Sequence, residues 1–141
     1  MPDSSPVFLD TSGWVALLNA DDRFHAAANE RMRQFGADRR PLVTTDWVLA
    51  ETGNGLARFP ARSRFAGAVE AFRSSKSARL VRIDDTLFQR GVELYASVDD
   101  KTWGLVDCAS FIVMRDAAIL EALTTDHHFT QAGFRALLAE D

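Results

Sequence analysis

The sequence contains a single cysteine, Cys108, in 141 residues. That excludes a disulfide framework and any cysteine zinc cluster, and it suits a reducing cytoplasm. No apolar run approaches the ~18 residues of a membrane-spanning helix, so no membrane association is expected. The N-terminal Met1-Pro2-Asp3-Ser4-Ser5-Pro6 has neither a basic flank nor an apolar segment, and no signal peptide is expected. There is no glycine-rich phosphate loop, no metal-type spacing of histidines, no internal repeat and no low-complexity linker. A single cytoplasmic domain over residues 1–141 is the resulting expectation.

What is present is globular. Hydrophobic residues at 47% and charged residues at 26% exclude a disordered chain. A domain of ~150 residues buries about two-thirds of its unfolded surface, enough for a core without disulfides. The formal net charge of −4 is unevenly placed. Within residues 58–82, Arg58, Arg62, Arg64, Arg73, Lys76, Arg79 and Arg82 stand against the single acid Glu70. That balance of +6 leaves −10 on the rest of the chain. A basic face beside an acidic remainder fits a polyanionic substrate meeting a cation-binding site, and it also fits a solvated arginine-rich helix surface.

Short apolar runs alternate with helical patterns. Pro6-Val7-Phe8-Leu9-Asp10, Pro41-Leu42-Val43-Thr44-Thr45, Leu80-Val81-Arg82-Ile83 and Ala122-Leu123-Thr124-Thr125-Asp126 read as strands, with a short last strand near Phe134 and Leu137. Helices are predicted after Ser12 as a cap, over 24–35, from Asp46 as a cap to Phe59, from Pro60 through the basic segment, over 84–98 and over 107–115. The alternation predicts an α/β fold with a mainly parallel sheet.

Two strands end on an aspartate, Asp10 and Asp126, and ligands in such sheets bind beyond the carboxyl ends of the strands. Two further acids interrupt apolar helix patterns: Glu51 after Trp47-Val48-Leu49-Ala50, and Asp107 between Leu105-Val106 and Cys108-Ala109. Buried carboxylates are paired or metal-bound, because desolvating an isolated charge costs several kcal/mol. Taken singly, Asp107 also fits a helix N-cap, Glu51 an exposed helix face, and Asp10 and Asp126 turn caps. Together they fit one cation site better than four coincidences, and hard oxygen donors favour Mg²⁺ or Mn²⁺ over zinc.

At these residues the chain resembles a known family. Val7-Phe8-Leu9-Asp10-Thr11-Ser12, then Thr45-Asp46-Trp47-Val48-Leu49-Ala50-Glu51-Thr52, then residues 99–111 around Asp107, and Leu123-Thr124-Thr125-Asp126-His127-His128-Phe129 are similar to the four motifs of the PIN-domain ribonucleases. The match is closest to the VapC toxins of bacterial toxin–antitoxin pairs and covers nearly the whole chain. The resemblance implies a three-layer α/β/α domain on a mainly parallel sheet of about five strands. It implies Mg²⁺- or Mn²⁺-dependent endonucleolytic cleavage of RNA by a metal-activated water. The family's acidic quartet falls on Asp10, Glu51, Asp107 and Asp126, with Asp100 as a supporting acid. Asp10 and Asp107 are expected to bind the metal directly, and Glu51 and Asp126 to hold waters or a weaker second ion. Thr11 or Ser12 supplies a hydroxyl to a metal-bound water or a phosphate. Gly104 stands where a serine is expected. A homodimer bound by a small cognate antitoxin is also implied, and Arg62, Arg64 and Arg73 of the basic segment are the expected RNA contacts.

Other residues read as structural: Cys108 and the tryptophans Trp14, Trp47 and Trp103 as core, and His127-His128 as surface loop. Two rival functions are a catalytically silent PIN-like interaction module and a haloacid dehalogenase-type phosphatase. The phosphatase needs an aspartate two residues after Asp10, where this chain has Ser12.

Overall fold

A computed structural model describes residues 3–139. Its sheet is built from β1 (Val7–Leu9), β2 (Leu42–Thr45), β3 (Ala78–Val81), β4 (Glu121–Leu123) and β5 (Arg135–Ala136). The order is β3-β2-β1-β4-β5, and every pairing is parallel. The helices are α1 (Thr11–Leu18), α2 (His25–Ala37), α3 (Asp46–Leu56), α4 (Phe65–Ser74), α5 (Asp85–Ser97), α6 (Leu105–Asp116) and α7 (His127–Gln131), with a 3₁₀ turn at Pro60–Arg64. The three-layer parallel α/β fold expected from the sequence is the one observed. None of the described helices is long and apolar enough to cross a membrane.

Val7, Phe8 and Leu9 are fully buried, which is why β1 is a continuous apolar run: it is the central strand, covered on both faces. Phe8 pairs with Val43 on one side and Ala122 on the other. From β1 the chain steps outward to β2 and β3, then crosses back to β4. Right-handed crossovers therefore place α1–α4 on one face and α5–α6 on the other. Contacts agree, with α1 packed on α2 and α3, and α5 on α6. The reversal opens a crevice between β1 and β4 at their carboxyl ends. The opposite end of the sheet is closed by a largely buried ion pair of Arg40 with Glu121 at 2.6 Å.

An aromatic cluster locks α6 and α7 to the sheet. Phe111 meets Phe129 edge-on at 4.9 Å and Trp103 at 5.0 Å, and Phe129 reaches Phe8 at 6.4 Å. Trp14 is likewise core, its indole N–H donating to Thr44.

Several local expectations shift. Ser12 lies inside α1 rather than capping it. The cap of α3 is Thr45, whose hydroxyl accepts from the Val48 N–H, while the Asp46 carboxylate accepts from the Ile83 N–H. Ile83 is thus beyond β3, which begins and ends two residues earlier than its apolar pattern suggests. Helix α3 stops at Leu56 because Phe59 precedes Pro60 and is forced into extended backbone. Pro60 then opens only a 3₁₀ turn before α4.

Candidate active site

Asp10 leaves β1 into the crevice and is only 4% exposed. One of its carboxylate oxygens accepts from the Thr124 hydroxyl at 2.8 Å. Thr124 has a single proton and spends it there, so the 3.0 Å contact between Ser12 Oγ and Thr124 Oγ1 runs from Ser12. Thr124 Oγ1 also accepts from the Asp126 N–H, and Ser12 Oγ from the Thr125 N–H. This buried network stitches the start of α1 to the end of β4 and fixes Asp10 between them. Ser12 thus directs its hydroxyl proton to Thr124, while Thr11 donates its hydroxyl to Glu51 of α3.

Asp107 enters from α6. The helix is capped by Gly104, and Asp107, three residues on, accepts from the Gly104 N–H at 3.1 Å. Asp107 is thus at the third helical position rather than the cap. The missing hydroxyl at 104 belongs to the helix cap: a Cβ there would meet only an Asp107 oxygen, at 3.9 Å. Gly104→Ser should fit without a clash and raise stability by a few tenths of a kcal/mol, read by urea denaturation; a clear loss of stability would contradict this cap geometry.

Asp126 caps α7, accepting from the His128 N–H at 2.9 Å. The imidazole of His128 lies against both acids, with Nδ1 at 3.1 Å from Asp107 and 3.3 Å from Asp126. Asp107, Asp126 and His128 bring candidate ligand atoms within 4.8 Å of one another. The surface loop expected at His128 is instead the start of α7, a helix of five residues and too short to announce itself by periodicity.

The electrostatics follow from burial. Desolvation pushes the Asp10 carboxyl up to about 7, against hydrogen bonds from Thr124 and the Thr11 N–H, and the neighbouring Asp107 and Glu51 add to the rise. Desolvation also raises Asp107, with Asp126 adding to it and the Gly104 N–H and His128 opposing it. A site that holds its acids at such a disadvantage is suited to a cation that offsets the repulsion.

All four members of the expected quartet, Asp10, Glu51, Asp107 and Asp126, line one cleft of about 680 Å³ together with Thr11 and Ser12. Asp100 does not join them; it is turned to Lys101, at 3.4 Å. Arg62, Arg64 and Arg73 are exposed and outside the cleft, with Arg62 donating to the Ala57 carbonyl and Arg64 to that of Leu18. The cation that does line the cleft is Arg23, from the loop between α1 and α2. Nothing in its sequence surroundings distinguishes it from the other arginines.

Residues 7–135 match the PIN domain family. Over 129 residues the chain is 36% identical to the 23S rRNA-specific endonuclease VapC20 of two Mycobacterium tuberculosis strains, covering 91% of this chain and 95% of the relative. The fold also matches the crystal structure of Mycobacterium tuberculosis VapC20, described as a sarcin-ricin loop cleaving toxin. That match has a TM-score of 0.77 at 34% identity and covers 91% of this chain and 95% of the other.

Proposed function

The chain belongs to the PIN-domain family, and we propose that it is a divalent-cation-dependent endoribonuclease, the toxin of a type II toxin–antitoxin pair, acting on ribosomal RNA as a single domain. The observation that carries this reading is the convergence of Asp10, Asp107 and Asp126 from three separate elements into one cleft.

The donor set fits magnesium or manganese. It offers carboxylate oxygens, one of them on a buried acid whose ionisation is disfavoured until a positive charge is beside it. Asp10 and Asp107 would hold such a cation directly, with Asp126 beside them. When bound, the ion neutralises developing charge on the phosphate and makes water nucleophilic at neutral pH. Glu51 is the acid best placed to orient the attacking water. It is exposed at the rim, and Thr11 occupies its Oε1, which leaves Oε2 to accept the proton. Asp126 is committed to α7 and His128 and serves the cation instead.

The substrate class rests on the similarity to VapC20 across nearly the whole chain. Mapping RNA 5′ ends after induced expression should show one discrete new end in 23S rRNA, absent with Asp10→Asn. Scattered ends, or none, would contradict the reading.

The basic segment is the proposed outer RNA contact. Because Arg62, Arg64 and Arg73 are exposed and outside the cleft that holds the carboxylates, reversing their charges should weaken RNA binding and flatten its salt dependence, since fewer counterions are released. The single-turnover cleavage rate at saturating RNA should change little. An unchanged salt slope would remove the segment from the interface.

A homodimer and an antitoxin complete the proposal. An arginine from an antitoxin is well suited to block a cleft of carboxylates by bidentate pairing. A monomer mass at micromolar concentration would overturn the dimer.

A further inference from the structure

We propose that His128 is a positioning residue for the cation site: its imidazole clamps Asp107 to Asp126, and Thr102 holds the ring in place. The inference rests on the reading above that these two acids face a divalent cation.

Three chain segments meet at this ring. Nδ1 is 3.1 Å from Asp107 Oδ2 and 3.3 Å from Asp126 Oδ1, and Nε2 is 3.1 Å from Thr102 Oγ1. An ionised carboxylate only accepts hydrogen bonds, so the nitrogen shared by two of them carries a proton. Nδ1 is therefore a donor and offers no lone pair to a metal. Nε2 points away from the carboxylates, at Thr102. The ring takes one oxygen from each acid, Oδ2 of Asp107 and Oδ1 of Asp126, and leaves the opposite oxygens to a cation.

The ring is held on both sides. Its side chain is 17% exposed, whereas that of His127 is 74% exposed. The next residue, Phe129, is fully buried in the aromatic cluster and fixes the backbone of α7. Trp103, adjacent to Thr102, donates its indole N–H to Gln131 of α7 at 2.9 Å. The loop that carries Thr102 and the helix that carries His128 are thereby pinned together. A partner that orients a metal-binding carboxylate in this way typically changes metal affinity by about 10- to 100-fold when removed.

The test is calorimetric titration of Mn²⁺ into the full chain, with a melting curve of each apo protein alongside. His128→Ala should weaken Mn²⁺ binding about 10-fold or more. His128→Asn should restore affinity to within about threefold of the parent, because its amide N–H₂ donates from the place of Nδ1. Thr102→Val, on an exposed residue, should weaken binding a few-fold with an unchanged melting temperature, and it carries the test if His128→Ala fails to fold. His127→Ala should match the parent. The proposal is overturned if His128→Ala loses thermal stability but binds Mn²⁺ like the parent, which marks a purely structural role. It is also overturned if His128→Asn is as weak as His128→Ala, which marks the ring nitrogen as a ligand. A parent that does not bind Mn²⁺ at all overturns the cation reading itself, and this proposal with it.

Discussion

Gly13→Ala is expected to destabilise the protein by about 3 kcal/mol or more, enough to leave a large unfolded fraction at 37 °C. A Cβ at Gly13 would lie 2.2 Å from the carbonyl oxygen of Leu123 and 3.0 Å from its carbonyl carbon. These are backbone atoms of β4, so neither a rotamer change nor a flexible tip can relieve the overlap; α1 or the strand must move. Helix propensity favours alanine over glycine by only about 1 kcal/mol and cannot offset this. The close approach has a purpose, since it brings Ser12 within reach of Thr124 and Thr125 and sets Asp10 against Thr124. Gly67 in α4 is the internal control. A Cβ added there would have nothing within 4 Å, so Gly67→Ala should stabilise by about 0.5–1 kcal/mol. Urea denaturation of both variants reads the two signs. A Gly13→Ala protein within about 1 kcal/mol of the parent would contradict the packing of α1 on β4 described here.

The second large effect is electrostatic. In chelator at pH 8, Asp10→Asn should be more stable than the parent by up to roughly 4 kcal/mol, the free-energy equivalent of moving a carboxyl from 3.8 to about 7. In the unfolded chain Asp10 loses its proton near 3.8, and in the folded chain near 7. Between those values the folded state holds the extra proton, so this group's contribution to parental stability falls as pH rises through the window. Asparagine keeps the shape and has no proton to lose. The gap between the two proteins should therefore be widest above pH 7 and close as the pH drops toward 4. Mn²⁺ should raise the melting temperature of the parent, because a ligand of the folded state stabilises it by mass action, and it should raise that of the variant much less. A variant no more stable than the parent at pH 8, or a gap that ignores pH, would remove the strain assigned to Asp10.

The acids of the site were legible because each violates a local pattern: Asp10 and Asp126 follow strand-like apolar runs, and Glu51 and Asp107 interrupt apolar helices. The fold shows why the pattern breaks there, since all four point into one cleft. Residues that support the acids were less visible. Thr124 reads as an ordinary strand residue, and its role depends on Asp10, 114 positions away in sequence. His128 sits in a helix of five residues, too short for periodicity, and its partners Asp107 and Thr102 come from another segment. The basic segment shows what a charge balance leaves out, which is direction: Arg62, Arg64 and Arg73 face solvent outside the cleft, while Arg23 lines it. Asp100 rested on motif resemblance alone, and its side chain goes to Lys101. Boundaries slipped where capping decided them, as at Thr45 and Ile83.

The most direct test of the central claim is the cleavage rate of 23S rRNA by the parent and by Asp107→Asn, measured from metal-free chelator up to saturating Mg²⁺. The parent should not cleave in chelator and should recover fully with Mg²⁺, and Asp107→Asn should be at least about 100-fold slower at every Mg²⁺ concentration. Cleavage by the parent in chelator, or a parental rate from Asp107→Asn, would contradict the claim.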